Sequence, residues 1–149
     1  MTILKWLVEF IAIYACALFA GAALYVELVE HPARMECGTN LALTEFGPSY
    51  RRGTIMQVSL AASSFLGSLG GWIITSNLVW LIGGILIVSV IPFTLIAILP
   101  TNKQLLDPSL DRNSKLASDL LKRWGKLHAV RSALSTTALL VFLLEFERF

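Results

Sequence analysis

Charge is what this chain has least of. Only 15% of its 149 residues are Asp, Glu, Lys or Arg, while 56% are hydrophobic and the mean hydropathy is +0.71. Soluble domains carry about a quarter charged residues, so a water-surrounded globule is excluded. The few charges are clustered, which leaves long uncharged runs, and that is the pattern of a chain whose first partner is the lipid bilayer. Histidine is scarcer still, with only His31 and His128. Cysteine is limited to Cys16 and Cys37. On a helical path they lie about 25–30 Å apart, too far for a bridge, so no redox compartment follows. There is no internal repeat and no low-complexity tract. The net charge of +2 suggests no nucleic-acid partner. One transmembrane domain over 1–149 is expected.

Four apolar runs fit the length of a bilayer crossing, at about 6–29, 54–75, 78–99 and 127–146. The first could imitate a secretory leader ending near Cys16, but Tyr14 is bulky where a small residue is usual and the run continues to Val29, so it reads as a retained span. The following 30–53 reads as a loop, with a turn at Phe46-Gly47-Pro48-Ser49-Tyr50. The second run carries Gly67 and Gly71 in GxxxG spacing, a packing face that could meet another copy or a membrane partner. Ser76-Asn77 makes a short turn into the third run, where Pro92 predicts a bend and Pro100-Thr101-Asn102 a stop. Over 103–126 charges return, while Leu116, Leu120, Leu121, Trp124 and Leu127 keep helical spacing. This predicts an amphipathic helix capped by Asn113 or Ser114, with a bend at Gly125, feeding the last span. The fold class is therefore all-α, an integral membrane four-helix bundle with an amphipathic helix before its last span.

Basic residues set the orientation. Arg34, Arg51 and Arg52 lie in the first loop and Lys103, Arg112, Lys115, Lys122, Arg123 and Lys126 in the third, against Lys5 and Arg148 on the other side. The positive-inside rule places loops one and three in the cytoplasm and both termini outside.

Both histidines then fall at one membrane depth. At the end of the first span, Glu27, Glu30, His31 and Arg34 share a face if the helix persists, although Pro32 puts His31 at a helix end or bend. On the last span Trp124, His128 and Arg131 are spaced i, i+4, i+7 and share a face. Tyr25, Gln57 and Asn102 lie near the same level. Ionisable groups at such depth face the bundle interior. They can also be purely structural: Glu27 with Arg131 as an ion pair, Glu30, Arg34 and Trp124 as interface anchors, Gln57 and Asn102 as caps or interhelical hydrogen-bond partners. The opposite half of the bundle offers no comparable ionisable group in this reading. Two histidines with Glu27 and Glu30 could form a non-haem metal set, and two facing histidines could clamp a haem or serve an electron-transfer protein. Neither has a specific signature, so no cofactor is expected.

Three segments carry a family resemblance: Ala23-Leu24-Tyr25-Val26-Glu27-Leu28-Val29-Glu30-His31-Pro32-Ala33-Arg34; Pro92-Phe93-Thr94 with Pro100-Thr101-Asn102-Lys103-Gln104-Leu105; and Trp124-Gly125-Lys126-Leu127-His128-Ala129-Val130-Arg131. Together they resemble the anthrone oxygenase-like family of small four-span membrane proteins. The resemblance implies a membrane oxidoreductase that oxidises a lipophilic aromatic or quinol-like substrate with dioxygen, as when an anthrone becomes an anthraquinone. Such a reaction needs a base near neutral pH and donors for a phenolate-like oxygen. His31 or His128 is the candidate base and Glu27 its orienting partner. Arg131, Asn102 and Gln57 are candidate donors, with Trp124 and Tyr25 as further contacts for the substrate. A non-catalytic membrane subunit, locked together by the same polar cluster, is the alternative.

Overall fold

The computed structural model describes residues 2–146, all helix and short turn. Arg148, counted in the charge asymmetry, lies outside the described residues. Helix α1 runs Thr2–Tyr25, widens into one π-turn at Val26–Glu30 and continues as His31–Glu36. Gly38, at φ 87° where a side chain would be strained, turns the chain into α2, Thr39–Thr75. Asn77 opens α3 by accepting a hydrogen bond from Val79 N–H at 2.9 Å. Helix α3 comprises Leu78–Val88, Val90–Phe93, a π-turn at Thr94–Ile98 and Leu99–Leu105. After a turn-rich 106–114, α4 is one helix, Lys115–Phe146, with the Ser114 hydroxyl accepting from Ala117 N–H at 3.1 Å. All four helices are long and apolar enough to cross a membrane, which fits a multi-pass membrane protein.

Several expected breaks are absent. The loop over 30–53 is mostly helix, and its Phe46–Tyr50 turn is a helical turn with Pro48 inside α2. Burial explains why: Ala42, Leu43 and Phe46 face the core, and Phe46 stacks on Tyr50 at 6.0 Å and meets Trp124 edge-on at 5.4 Å. Pro32 and Pro100 do not end their helices, because each follows a π-turn and sits in the first turn of the segment after it, where its missing N–H costs little. Gly125 makes no bend. It leaves room for an imidazole, since a Cβ there would lie 2.5 Å from His31 Nε2.

The helices form a ring in the order α1–α2–α3–α4, each pairing with its two neighbours. Inward positions recur at steps of four and three: Gln57, Ala61, Ser64, Ser68 and Gly71 on α2, and Ala117, Leu121, Trp124, His128, the half-buried Arg131, Ser135, Ala138 and Phe142 on α4. That is the seam of a left-handed bundle. Small and polar residues share the interior with large apolar ones such as Phe19, Trp80 and Phe142, and large apolar residues also cover the outside, with Ile3, Phe10, Ile55, Leu66, Ile73, Ile96 and Leu144 all exposed. The arrangement suits lipid rather than water. Serines bridge the helices: Ser64 Oγ donates to Ala12 O at 2.8 Å and Ser132 Oγ to Ala23 O at 3.2 Å, worth about 0.6 kcal/mol each in a membrane. A Cβ on Gly67 would come within 2.7 Å of Ala12 N on α1, and one on Gly71 within 3.2 Å of the Trp80 ring on α3. The GxxxG face is therefore consumed inside the bundle and is not the free partner surface expected from its spacing.

Candidate active site in the basic half of the bundle

Helix α4 carries the centre of the site. It is straight there, so the i, i+4, i+7 spacing of Trp124, His128 and Arg131 survives as one inward face. Trp124 is the hub: His128 stacks on it at 4.9 Å, His31 tilts against it at 5.2 Å, and the Arg34 guanidinium lies 5.7 Å from its ring centre. His128 is 2% exposed, and its Nδ1 is 3.4 Å from Glu27 Oε2. Arg131 donates to the Gln57 carboxamide oxygen on α2 and lies 5.6 Å from the Phe19 ring centre on α1. The expected Glu27–Arg131 ion pair does not form, because these other partners hold both groups.

Around this face lie two adjoining chambers. The inner one, about 100 Å3, is walled by all four helices. Phe19, Val90, Ile91 and Leu95 give it an apolar wall, and Gln57, Asn102 and Arg131 a polar one. The outer chamber, about 60 Å3, is bordered by Glu30, Arg34, Ser49 and His128. Tyr50, Thr54, Gln57, Trp124 and Arg131 belong to both walls. A single enclosed water occupies roughly 10–15 Å3 of such space, so the inner chamber matches about seven to ten waters, the bulk of a flat fused-ring molecule. Two polar groups beside it lack hydrogen-bond partners, Asn102 Oδ1 and Arg131 Nε. Buried polar atoms are normally satisfied, so Arg131 Nε–H marks a place for a ligand oxygen or a water, and Asn102 Oδ1 a place for a donor such as a water or a hydroxyl. Asn102, 1% exposed, lies within α3 rather than capping its end.

The remaining candidates are placed differently. Tyr25 is 56% exposed and lines an outer groove between α1 and α2, away from the inner chamber. His31 borders neither chamber; its ring is seated against Gly125 and Trp124, with Nδ1 buried and unpartnered. Glu27 reaches the chambers only through His128. The π-turn is the reason: one extra residue in that turn rotates the rest of α1, so Glu27, Glu30, His31 and Arg34 cannot share one face. Glu30 and Arg34 pair with each other, Arg34 also holds Glu45 at 2.8 Å, and Ser49 Oγ donates to Glu30 at 3.2 Å.

Tyr50, Thr54 and Arg34 were not among the candidate binding residues, although all three line a chamber. The signal was the heptad-like recurrence of Leu43, Phe46, Tyr50 and Gln57, which continues the α2 seam into the supposed loop. The opposite end also proves polar. Glu9 and Glu145 are buried and close enough to repel, Asn77 Nδ2 donates to Glu145 Oε1 at 2.5 Å, and Lys5 Nζ lies 3.8 Å from Glu9. Among the described residues no three His, Cys, Asp or Glu side chains gather as a metal-ligand set, and both imidazoles pack on Trp124 instead of facing one another across a space.

No curated protein matches the chain, and no solved structure does. The sequence model of one family, described as anthrone oxygenase, matches residues 46–141. That stretch contains Tyr50, Thr54, Gln57, Asn102, Trp124, His128 and Arg131, and leaves out Glu27, Glu30 and His31. With most of its length matched, and with the chamber walls of α2, α3 and α4 inside the match, this chain belongs to the anthrone oxygenase family.

Proposed function

We propose that the protein is a membrane oxygenase that takes a flat, lipophilic carbon acid of the anthrone type and oxidises its ring methylene to a ketone with dioxygen. The observation that carries this reading is the inner chamber, with Phe19, Val90, Ile91 and Leu95 in its apolar wall and Gln57, Asn102 and Arg131, whose Nε–H lacks an acceptor, in its polar one. A polycyclic ketone has the matching polarity, a greasy body with one oxygen. That oxygen would take hydrogen bonds from the Arg131 guanidinium and the Asn102 carboxamide N–H, displacing part of the Gln57 contact. These donors favour the enolate over the ketone, because negative charge collects on that oxygen once the methylene proton leaves.

His128 is the base in this reading. It lies one helical turn from Arg131 and borders the outer chamber, and Glu27 holds its Nδ1 side. His31, packed against Gly125, supports Trp124 and takes no part in proton transfer. The electron-rich anion then reacts with dioxygen. The methylene carbon gains a hydroperoxide, using the proton returned from His128, and loss of water leaves the ketone. One substrate and one O2 give one quinone-type product and one H2O, with no resident cofactor. The basic end of the bundle faces the cytoplasm.

The test is oxygen uptake by purified protein in nanodiscs supplied with anthrone. Turnover should consume one O2 per product. His128→Ala should lower kcat by about 100-fold or more, and Arg131→Gln by a similar factor. Unchanged turnover in either variant would leave the cluster as a helix lock without chemistry.

A further inference from the structure

The inner chamber has a side opening. Its wall on α2 includes Thr54 and Val58, and its wall on α3 includes Ile91 and Leu95. Each pair is one helical turn apart, so together they form two rungs facing across the α2–α3 seam. Val58 is 46% and Leu95 59% exposed while still lining the chamber, so the cavity reaches the outer surface there. The helices are in close contact at their far end, where a Cβ on Gly84 would collide with Ser68 Oγ. That pairing thins beyond Phe93, where Pro92 and the π-turn at Thr94–Ile98 redirect α3.

The surface around the opening is apolar, with Ile55 72% and Ile96 78% exposed. Val58 lies seven residues beyond Arg51, about 10 Å along the helix axis, so the opening falls inside hydrocarbon and below the headgroup level that Arg51 marks. We infer that this seam is a lateral portal through which a bilayer-dissolved, flat aromatic molecule passes directly between lipid and chamber. The inference rests on the proposed function for the occupant's chemistry, but the route itself concerns binding alone. The chamber's polarity fits sideways entry: a molecule that comes in between Val58 and Leu95 moves from lipid past apolar side chains and meets Arg131 and Asn102 last. The groove between α1 and α2 is the competing route. It carries Glu30, Glu45 and Arg52 on its rim, and an apolar ring system would have to pass those charges.

The probe is 2-fluoroanthraquinone, which is not oxidised further at its ring carbonyls, dissolved in nanodisc lipid. 19F exchange spectroscopy then reads the rate at which it moves between its lipid and protein-bound pools. The double substitution Val58→Phe with Leu95→Phe should slow exchange about ten-fold in both directions and leave Kd within about three-fold. Val58→Ala should speed exchange, and Met56→Phe, in the α1–α2 groove, should leave it unchanged. Equal rates in wild type, the double variant and Val58→Ala would overturn the portal. So would slowing confined to Met56→Phe, or no bound pool in the wild-type protein. Binding without anthrone turnover would end the oxygenase reading and leave the portal standing.

Discussion

At the scale of single residues, Gly125 is a tightly constrained position beside the proposed chemistry. An alanine there gains about 1 kcal/mol of helix propensity in isolation, but its methyl would lie 2.5 Å from His31 Nε2, and overpacking of that kind costs about 1–3 kcal/mol. Gly125→Ala should therefore lower stability in thermal unfolding followed by tryptophan fluorescence. Combining it with His31→Ala should recover most of the loss, a coupling that marks direct contact. A glycine within helical spacing invites the reading of a bend, and the sequence alone does not show that another helix presents a ring at that level. Trp124, His128 and Arg131 were legible because spacings of four and seven carry straight into space on an unbroken helix. Glu27 also meets a histidine as expected, His128, but the position of His31 was not legible, since the phase of α1 changes by one residue between Tyr25 and His31.

At the scale of elements, prolines set the character of the fold by widening helices rather than ending them. Pro32 and Pro100 each follow a π-turn, and Pro92 precedes one. This is why the run lengths were legible while loop one and the end of the third span were misplaced: a proline-based stop rule assumes the regular turn that these helices abandon. Elements also meet where charge was not expected. Asn77 caps α3 through Val79 N–H and binds the buried Glu145 of α4. Asn77→Ala would strip the cap and leave a buried carboxyl without its amide partner. It should destabilise the protein by about 1–3 kcal/mol, measured by denaturant unfolding in detergent. Asn77→Ser should recover the cap but, with its shorter side chain, not the contact with Glu145, and so fall between the two. Glu9 could have signalled this second polar end, as an acid inside an otherwise apolar run rarely lacks a partner.

At the scale of the whole molecule, the exterior is apolar, wrong for water and right for lipid. The bundle class and its membrane character were readable from charge poverty and run length alone. The chambers were not, because they depend on how α2 and α3 separate, which no single helix encodes. Sidedness can be tested with the native thiols. Cys37 is exposed at the basic end and Cys16 is buried in the core. A membrane-impermeant maleimide should label Cys37 in inverted vesicles and not in sealed cells, and Cys37→Ser should abolish the signal. Labelling from outside the cell would reverse the assignment of the basic end to the cytoplasm.

The tight contacts at Gly67 against the Ala12 backbone and at Gly84 against the Ser68 side chain lie away from the chambers, while the seam beside Leu95 borders the inner one. A clothes-peg is built the same way, with its spring at one end and its jaws at the other. Small spreading of the jaws strains the spring little, so a guest can be admitted and let go without the bundle surrendering the contacts that hold it folded.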